Sequence, residues 1–391
     1  MLSPVPPPDA SRRPVFLADW TTLRVGGPAK TFVEVADVAS LARALRDAEV
    51  AGDPVLVLGG GSNVVVPDAG FPGTVVHMAM KGVRIETRPE TDVGLRPVVG
   101  LGRAANPGPG PAFEGHDDPS AGSGTGTGAV VANVAAGEDW CAFVGYCVAE
   151  GLSGVECLSG IPGLAGATPV QNVGAYGQEV AQTIVSVTVW DRRRGSLLRM
   201  SPAECRFSYR HSVFKRNPRY VVTEVAFRLR RSRRSEPLRY AELAGRLGVE
   251  LGHSAPLDET AQAVLDLRRA KGMVLDASDP DTRSVGSFFT NPVLDDKGVR
   301  ALLAIAPDVP TFASESGTKV PAAWLVERAG FARGYRKAGA ALSAKHALAL
   351  TVREGGTAAD VLALARDVRD GVSRRFGVQL QAEPVLVGAY L

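Results

Sequence analysis

Short apolar runs and helically spaced apolar residues alternate along the chain. The runs have strand length, and one of them, residues 54–58, stops at three glycines as a strand entering a tight turn does. Strands are predicted at residues 33–38, 54–58, 130–135, 184–190, 219–229, 378–380 and 385–387. Helices are predicted over residues 40–49, 140–150, 259–271 and 357–376. This mixture predicts an α+β architecture.

Residues with capping chemistry mark the ends of two predicted helices. Ser40 is the expected N-cap of the first, and Asp139 is the expected N-cap of the second. Gly151 is expected to end the second helix, because glycine readily takes the left-handed conformation found just past helix ends.

Three segments of unusual composition divide the chain. Residues 1–14, rich in proline, are expected to form a disordered leader, and residues 88–128, rich in glycine and proline, an insertion in a hairpin. The basic residues 228–239 are expected to form a solvated linker between a glycine-rich N-terminal unit and a smaller C-terminal unit. They could instead bind nucleic acid, but they lack the interleaved aromatic residues that favour such binding.

The composition argues against a polyanionic partner, a disulfide framework, a metal site and a membrane span. The chain has 391 residues, of which 45% are hydrophobic, and its net charge of +3 demands no polyanionic partner. The four cysteines form no C-x-x-C pair and are expected to be free thiols in a reducing compartment. The five histidines are scattered, so no metal is expected. The sequence has no run of eighteen apolar residues, so no membrane span is predicted.

Two glycine-rich stretches have the composition of ligand-binding loops. The turn at residues 59–63 permits positive φ, so consecutive N–H groups can converge on an anion. Its members are Gly59, Gly60, Gly61, Ser62 and Asn63. Residues 159–177 are dominated by small residues, prolines and amides, which fit a rigid wall against a flat ligand. An ordinary tight turn and a structural loop are the alternative interpretations.

Three further segments complete a recognisable set. They are residues 209–215 (Tyr209-Arg210-x-Ser212-x-Phe214-Lys215), residues 286–292 (Gly286-Ser287-Phe288-Phe289-Thr290-Asn291-Pro292) and the late Glu383. Together with the two glycine-rich stretches and the motif Thr21-Thr22-x-Arg24-x-Gly26-Gly27, they resemble the UDP-N-acetylenolpyruvoylglucosamine reductase (UDP-N-acetylmuramate dehydrogenase) family. The resemblance runs from about residue 21 to the C-terminus, except for residues 88–128.

The resemblance implies a fold and an activity. Residues 15–231 would form a FAD-binding domain of the vanillyl-alcohol-oxidase type, with subdomains at about 15–80 and 81–231, and residues 232–391 an α+β substrate-binding domain. The protein would be a cytoplasmic, monomeric oxidoreductase of peptidoglycan synthesis. NADPH would reduce its FAD, which would then reduce the enolpyruvyl ether of UDP-N-acetylglucosamine. A flavin oxidase of the same fold and a non-catalytic flavin- or nucleotide-binding protein are the alternatives.

The resemblance also implies roles for individual residues. Arg210 and Glu383, the latter protonated, would stabilise the negative charge that forms on the substrate, and Ser287 would deliver the proton. Residues 59–63 would hold the FAD pyrophosphate. The other cofactor contacts implied are Thr168, Pro169, Gln171, Asn172, Gly174, Ala175, Tyr176 and Arg268. The substrate contacts implied are Lys271, Asn291, Lys319 and Tyr240, the last typical of one branch of the family.

Two positions depart from the family pattern. Thr290 stands where many relatives carry lysine, and Val385 stands where some carry arginine. The affinity for the doubly charged UDP group, or the tuning of the flavin, is therefore expected to differ.

Overall fold

The structure is a computed structural model that describes residues 14–87, 128–314 and 316–391. The predicted leader and the predicted insertion lie outside the described residues, apart from their last residues, Pro14 and Gly128. In the described part of the chain, no helix combines the length and the apolar character needed to cross a membrane.

Short strands and three helices build the first part of the chain. The strands are β1 (Ala29–Val35), β2 (Val55–Leu58), β3 (Val64–Val65), β4 (Phe71–Met78), β5 (Val83–Thr87), β6 (Ala129–Ala135), β7 (Leu152–Ser153), β8 (Gly174–Ala175), β9 (Gln178–Glu179), β10 (Ile184–Asp191), β11 (Ser196–Met200) and β12 (Tyr220–Arg231). The helices are α1 (Val38–Val50), α2 (Trp140–Ala149) and α3 (Pro202–Cys205).

The remaining chain contains more helix. Its helices are α4 (Ala241–Arg246), α5 (Leu257–Ala270), α6 (Asp296–Ile305), α7 (Ala322–Arg328) and α8 (Ala358–Phe376). Its strands are β13 (Ser284–Ser287), β14 (Val293–Leu294), β15 (Phe312–Ser314), β16 (Gly317–Lys319), β17 (Arg336–Lys337), β18 (Ala340–Leu342), β19 (Ala349–Val352) and β20 (Val385–Leu386).

Two sheets of different character form the N-terminal half. The first is parallel with strand order β1-β4-β2, and α1 packs its buried leucine and alanine face on it. The second is antiparallel with order β11-β10-β12-β6-β5, and β7 pairs with the end of β12. Trp140 of α2 and Phe227 of β12 are fully buried beneath this second sheet, with ring centroids 5.5 Å apart. Burial of such rings is a large stabilising contribution.

The core of the C-terminal half also includes Leu23, Val25 and Val65 from the start of the chain. A sheet of order β13-β19-β18-β17 packs against α8, whose apolar stripe includes Val361, Leu364 and Val368. Thr357 caps the start of α8 by accepting a hydrogen bond from the Asp360 N–H, and Gly377 ends the helix in the left-handed conformation. The predicted helix over residues 357–376 is therefore confirmed.

The chain finally returns to its beginning. Strand β20 pairs in parallel with β3, and the Val385 N–H donates to the Asn63 carbonyl at 3.0 Å. Residue 383 is thereby placed beside the glycine turn of residues 59–63, although the whole C-terminal half lies between them in sequence.

Four local predictions are wrong. The N-cap of α1 is Asp37, not Ser40: its carboxylate accepts from the Ser40 N–H at 2.6 Å, and Ser40 is the third residue of a capping box. Residues 378–380 form no strand, because the chain there crosses the core without a pairing partner among the described residues. Residues 228–231 of the expected linker belong to β12, where Leu229 is buried and the three arginines are exposed. Residues 33–38 are not one strand, since β1 ends at Val35 and α1 begins at Val38.

The predicted caps of α2 are confirmed. The Asp139 carboxylate accepts from the Ala142 N–H at 2.8 Å, and Gly151 follows the helix with a φ of +64°.

Candidate active site

The glycine turn between β2 and β3 is fixed by close approaches of the backbone. A Cβ on Gly60 would lie 2.8 Å from the Gly163 Cα, and one on Gly61 would lie 1.9 Å from the Trp20 carbonyl oxygen. Gly61 also has a φ of +61°, which side-chain-bearing residues rarely adopt. The Ser62 hydroxyl donates to the Pro162 carbonyl at 2.9 Å. The turn is thus locked against both the chain before β1 and the 159–177 stretch.

The 159–177 stretch, the predicted wall, is held by internal hydrogen bonds. Asn172 and Tyr176 hold φ values of +46° and +50° in the left-handed region. The Asn172 amide donates to Glu179 at 2.7 Å and its oxygen accepts from the Ala181 N–H at 3.1 Å. The Thr168 hydroxyl donates to the Ala165 carbonyl at 2.8 Å. The side chains of Thr168 and Asn172 therefore fix the backbone of this stretch.

Gln171 connects the wall to two other parts of the site. Its amide oxygen accepts from the Asn63 side chain at 2.5 Å, and its nitrogen donates to Glu383 Oε1 at 3.3 Å. Its neighbours Pro169 and Ala175 lie in the same wall, Ala175 in the short strand β8 and half-buried. One amide thus links the glycine turn, the wall and the C-terminal segment.

Arg210 lies at the centre of the site in a strained backbone conformation, with a φ of +53°. Its Nη2 donates to the Gly174 carbonyl at 2.6 Å, and its Nε lies 3.3 Å from Glu383 Oε1. The Lys215 ammonium donates to the Arg210 carbonyl at 3.0 Å. The guanidinium is 19% exposed, so its charge is little screened by water.

Glu383 is the buried partner of this cation. Burial raises the pKa of its carboxyl above the ordinary value, although Arg210 and then Lys215 oppose the rise. Oε1 accepts a hydrogen bond from Gln171 and forms an ion pair with Arg210. A proton on Oε2 would make the same carboxyl a donor into the site. The raised pKa favours the protonated form that the sequence analysis expects.

We predict that Glu383→Gln stabilises the protein increasingly as pH rises. The folded pKa of Glu383 lies above its unfolded value, so its contribution to stability is present at low pH and is lost as pH rises through the folded pKa. The neutral amide of glutamine has no such loss. The melting temperatures of wild type and variant, compared from about pH 5 to about pH 8, should diverge in favour of the variant. A constant difference would contradict the prediction.

Ser287 ends strand β13, and the next residue is hydrogen-bonded to the backbone of Glu383. The Glu383 N–H donates to the carbonyl of the adjacent Phe288 at 2.9 Å. Thr22 supports the other end of the strand, because its hydroxyl donates to the Ser284 carbonyl at 2.6 Å while its N–H donates to the Gly61 carbonyl at 3.1 Å. Strand β13 is thereby tied to the glycine turn. The Thr21-Thr22 motif therefore has a structural function in joining the two halves.

Two of the expected substrate-binding residues form a cluster with the wall. The rings of Tyr176 and Tyr240 meet edge to face with centroids 5.3 Å apart. The Lys271 ammonium lies 5.8 Å from the centroid of the Tyr176 ring and 2.8 Å from the Glu242 carboxylate. Tyr240 is 39% exposed, so its ring can cover a ligand held beneath it.

The other two expected substrate-binding residues, Lys319 and Asn291, make different contacts. The Lys319 ammonium lies 4.1 Å from the centroid of the Tyr209 ring, and the Arg210 guanidinium lies 5.2 Å from the same ring. The Asn291 side-chain oxygen accepts from the Ala322 N–H at 2.9 Å and so caps α7. Its amide nitrogen remains a donor. The substrate candidates therefore fall into two clusters, one around Tyr176 and one around Tyr209.

Sequence reasoning missed two contacts in the site. Tyr209, which lies between two cations, stands beside Arg210 in the sequence but was given no role. His346 Nε2 lies 3.1 Å from the Ser287 hydroxyl, although the histidines showed no pairing by spacing. The local sequence around His346 does not indicate this contact, because the pairing of β13 with β19 brings the histidine to Ser287.

The two departures from the family pattern lie at the edge of the site. The Thr290 N–H donates to the Gln381 carbonyl at 3.0 Å, and Val385 pairs with Val64 in the short parallel β20–β3 ladder. Both residues are half-buried. Neither residue supplies a positive charge to the site.

The residues present fit a flavin dinucleotide. Arg268 carries a buried Nε that has no hydrogen-bond partner among the described residues, and it lies beside Gly160 at the start of the wall. An unpaired buried cationic donor calls for an acceptor from a ligand. The glycine turn supplies closely packed backbone of the kind that binds phosphates. In the described residues, His, Cys, Asp and Glu form no group of three or more suited to a metal ion.

Two family models match parts of the chain. The model of a FAD binding domain family matches residues 29–96 and 126–201. The model of the family "UDP-N-acetylenolpyruvoylglucosamine reductase, C-terminal domain" matches residues 279–387. A crystal structure of UDP-N-acetylenolpyruvylglucosamine reductase from Thermus caldophilus superposes with a TM-score of 0.58, at 24% identity over 96% of this chain and 98% of that chain. That likeness shows a shared fold.

Curated relatives are closer in sequence. The UDP-N-acetylenolpyruvoylglucosamine reductase of Thermobifida fusca is 49% identical over 97% of this chain and 98% of the relative. That of Salinispora arenicola is 48% identical over 98% of this chain and 97% of the relative. The fold and these matches define a FAD-dependent oxidoreductase with a C-terminal α+β domain, so the predicted fold class and cofactor are confirmed. The chain belongs to the UDP-N-acetylenolpyruvoylglucosamine reductase family.

Proposed function

We propose that this protein reduces the enolpyruvyl ether of UDP-N-acetylglucosamine to UDP-N-acetylmuramate, with NADPH as reductant, in peptidoglycan precursor synthesis. The observation that carries the proposal is the convergence of Arg210, Glu383 and Ser287 from three distant parts of the chain. Arg210 contacts Glu383 at 3.3 Å, and Glu383 is hydrogen-bonded through its backbone to the residue after Ser287. When bound, FAD accepts a hydride from NADPH and supplies a hydride to the terminal vinyl carbon of the substrate.

Arg210 and Glu383 stabilise the charge that the hydride leaves behind. Hydride addition to the terminal carbon puts negative charge on the adjacent carbon and, by conjugation, on the substrate carboxylate. A poorly solvated guanidinium attracts that charge strongly, and a protonated Glu383 can donate a hydrogen bond to it. Gln171 and the Gly174 carbonyl hold these two groups in position before the substrate arrives.

Ser287 supplies the proton that completes the reduction. A serine hydroxyl is a weak acid, so the proton moves only as the carbanion forms. The nucleotide sugar would be held by Lys271 and Tyr240 from one cluster and by Lys319 and Asn291 from the other. Because positions 290 and 385 carry no basic residue, Lys271 and Lys319 would balance the charge of the substrate diphosphate.

The remaining features are proposals that rest on this function. We assign residues 15–231 to FAD binding and residues 232–391 to substrate binding. The protein would act as a monomer in the cytoplasm, where NADPH is available, and would bind no nucleic acid. Light scattering of the purified protein would test whether it is a monomer. Its retention on immobilised DNA at low salt would test whether it binds nucleic acid.

The decisive experiment follows the colour of the purified protein. We expect a yellow protein that NADPH bleaches and that the enolpyruvyl sugar nucleotide re-oxidises. Steady NADPH oxidation should require that substrate. A colourless protein that FAD cannot reconstitute would refute the flavin assignment, and consumption of oxygen with a hydroxylated substrate would favour a flavin oxidase.

A further inference from the structure

His346 makes a direct contact with the side chain of Ser287. It lies in the loop between β18 and β19, and its Nε2 is 3.1 Å from the Ser287 hydroxyl oxygen. Strand β13 pairs with β19 so that Ser287 faces Ala349, and the Ala349 N–H donates to the His346 carbonyl at 3.1 Å. The loop is therefore held in place by the same strand pair that carries Ser287.

The surroundings of His346 keep its ring neutral. Burial, and after it the positive charges of Lys271, Arg333 and Arg268, together lower the pKa of His346 to about 4. These three cations are the charged groups that lower the pKa of the ring. At neutral pH the imidazole therefore has one nitrogen that donates and one that accepts.

The tautomer decides what the contact does for Ser287. If Nε2 accepted, the Ser287 hydroxyl hydrogen would point at the ring and away from a substrate. If Nε2 carries the hydrogen, it donates to the Ser287 oxygen, and the hydroxyl hydrogen is free to point at the substrate carbon. A proton donor needs the second arrangement.

We propose that His346 is a positioning residue that donates from Nε2 to Ser287 and relays a solvent proton to it after the reaction. This proposal rests on the proposed function of Ser287 as the proton donor. When the Ser287 O–H bond breaks and the new C–H bond forms, the serine oxygen takes the proton from Nε2 while Nδ1 takes one from water. One proton enters and one leaves, no electrons move, and the ring returns to its first tautomer by exchange with solvent. The half-buried position of His346 leaves room for that exchange.

The test separates the two half-reactions in the FAD-loaded enzyme. His346→Ala should bind FAD and be reduced by NADPH as wild type is, whereas re-oxidation by the enolpyruvyl sugar should slow by about ten- to a hundred-fold. Added imidazole should restore part of the rate. His346→Gln keeps a donor near the serine but cannot exchange protons, so it should remain slow and should not respond to imidazole. The exposed His253 offers a matched control, and His253→Ala should change neither half-reaction.

A measurement without turnover tests the same proposal. Nitrogen shifts of the His346 ring in labelled protein should show a neutral imidazole with its hydrogen on Nε2. The opposite tautomer, a wild-type re-oxidation rate in His346→Ala, or a wild-type rate in His346→Gln would each overturn the relay. A wild-type protein that fails to reduce the sugar nucleotide would instead overturn the proposed function, while the tautomer would still report on the contact.

Discussion

Ser287→Ala is expected to slow re-oxidation of the reduced flavin by the enolpyruvyl sugar by about 10²- to 10⁴-fold, the usual contribution of a general acid. Reduction by NADPH should stay close to the wild-type rate, because that half-reaction needs no proton from the serine. Stopped-flow absorbance of the flavin measures both steps on one sample. The substitution removes only a hydroxyl from a half-buried residue at the end of β13, so the fold should tolerate it.

Two results would decide how to interpret that variant. Ser278→Ala, a change of the same chemistry at an exposed position in the same half of the chain, should leave both steps unchanged. If Ser287→Ala re-oxidised at the wild-type rate, another group would deliver the proton and the assignment of Ser287 would be wrong. If both half-reactions slowed together, the hydroxyl would be needed for the structure of the site.

Much of the fold follows from local patterns. The helix α8 was predicted to within a residue because its apolar stripe, Thr357 cap and Gly377 stop all agree. The N-cap of α1 was misplaced because Ser40 and Asp37 both have capping chemistry, and only the backbone shows which of them lies outside the helix. Residues 378–380 have a strand-like composition but no partner, and pairing is not a local property.

The candidate site could be predicted as a set of residue types but not as a geometry. Arg210, Ser287 and Glu383 were found through resemblance, since each alone would pass for a surface charge or a cap. Their contacts depend on long-range pairing: β20 with β3 brings Glu383 to the glycine turn, and β13 with β19 brings His346 to Ser287. Such pairings join strands far apart in sequence, so local periodicity gives no sign of them.

The glycine turn itself illustrates what the structure adds. The sequence shows three glycines after a strand and predicts close approach to a phosphate. In the structure, packing within the protein already requires glycine at positions 60 and 61, because Gly163 and Trp20 occupy the space that a side chain there would need. The rigidity of the turn comes from these contacts, and a rigid turn presents its N–H groups to an anion without further loss of entropy.

Gly61→Ala is therefore expected to abolish FAD binding. The added Cβ would lie 1.9 Å from the Trp20 carbonyl oxygen and 2.7 Å from the Thr21 Cα, both of them backbone atoms that cannot turn aside. The turn would have to move, and the Gly61 carbonyl, which accepts from the Thr22 N–H, would move with it. The Thr22 hydroxyl also donates to the Ser284 carbonyl, so strand β13 would be disturbed as well. We expect the FAD content of the purified variant, measured by absorbance, to fall at least about ten-fold, a loss of about 1.4 kcal/mol or more in binding.

Gly52→Ala is the matched control for that variant. Gly52 has a φ of +68°, close to the +61° of Gly61, but a Cβ there would meet nothing within 4 Å. Both substitutions carry the same backbone strain of about 1–2 kcal/mol, so only the collision with Trp20 and Thr21 differs between them. Gly52→Ala should keep its FAD and lose a few degrees of melting temperature. Equal FAD content in the two variants would show that backbone strain alone governs the turn and that its packing against residues 20 and 21 does not support cofactor binding.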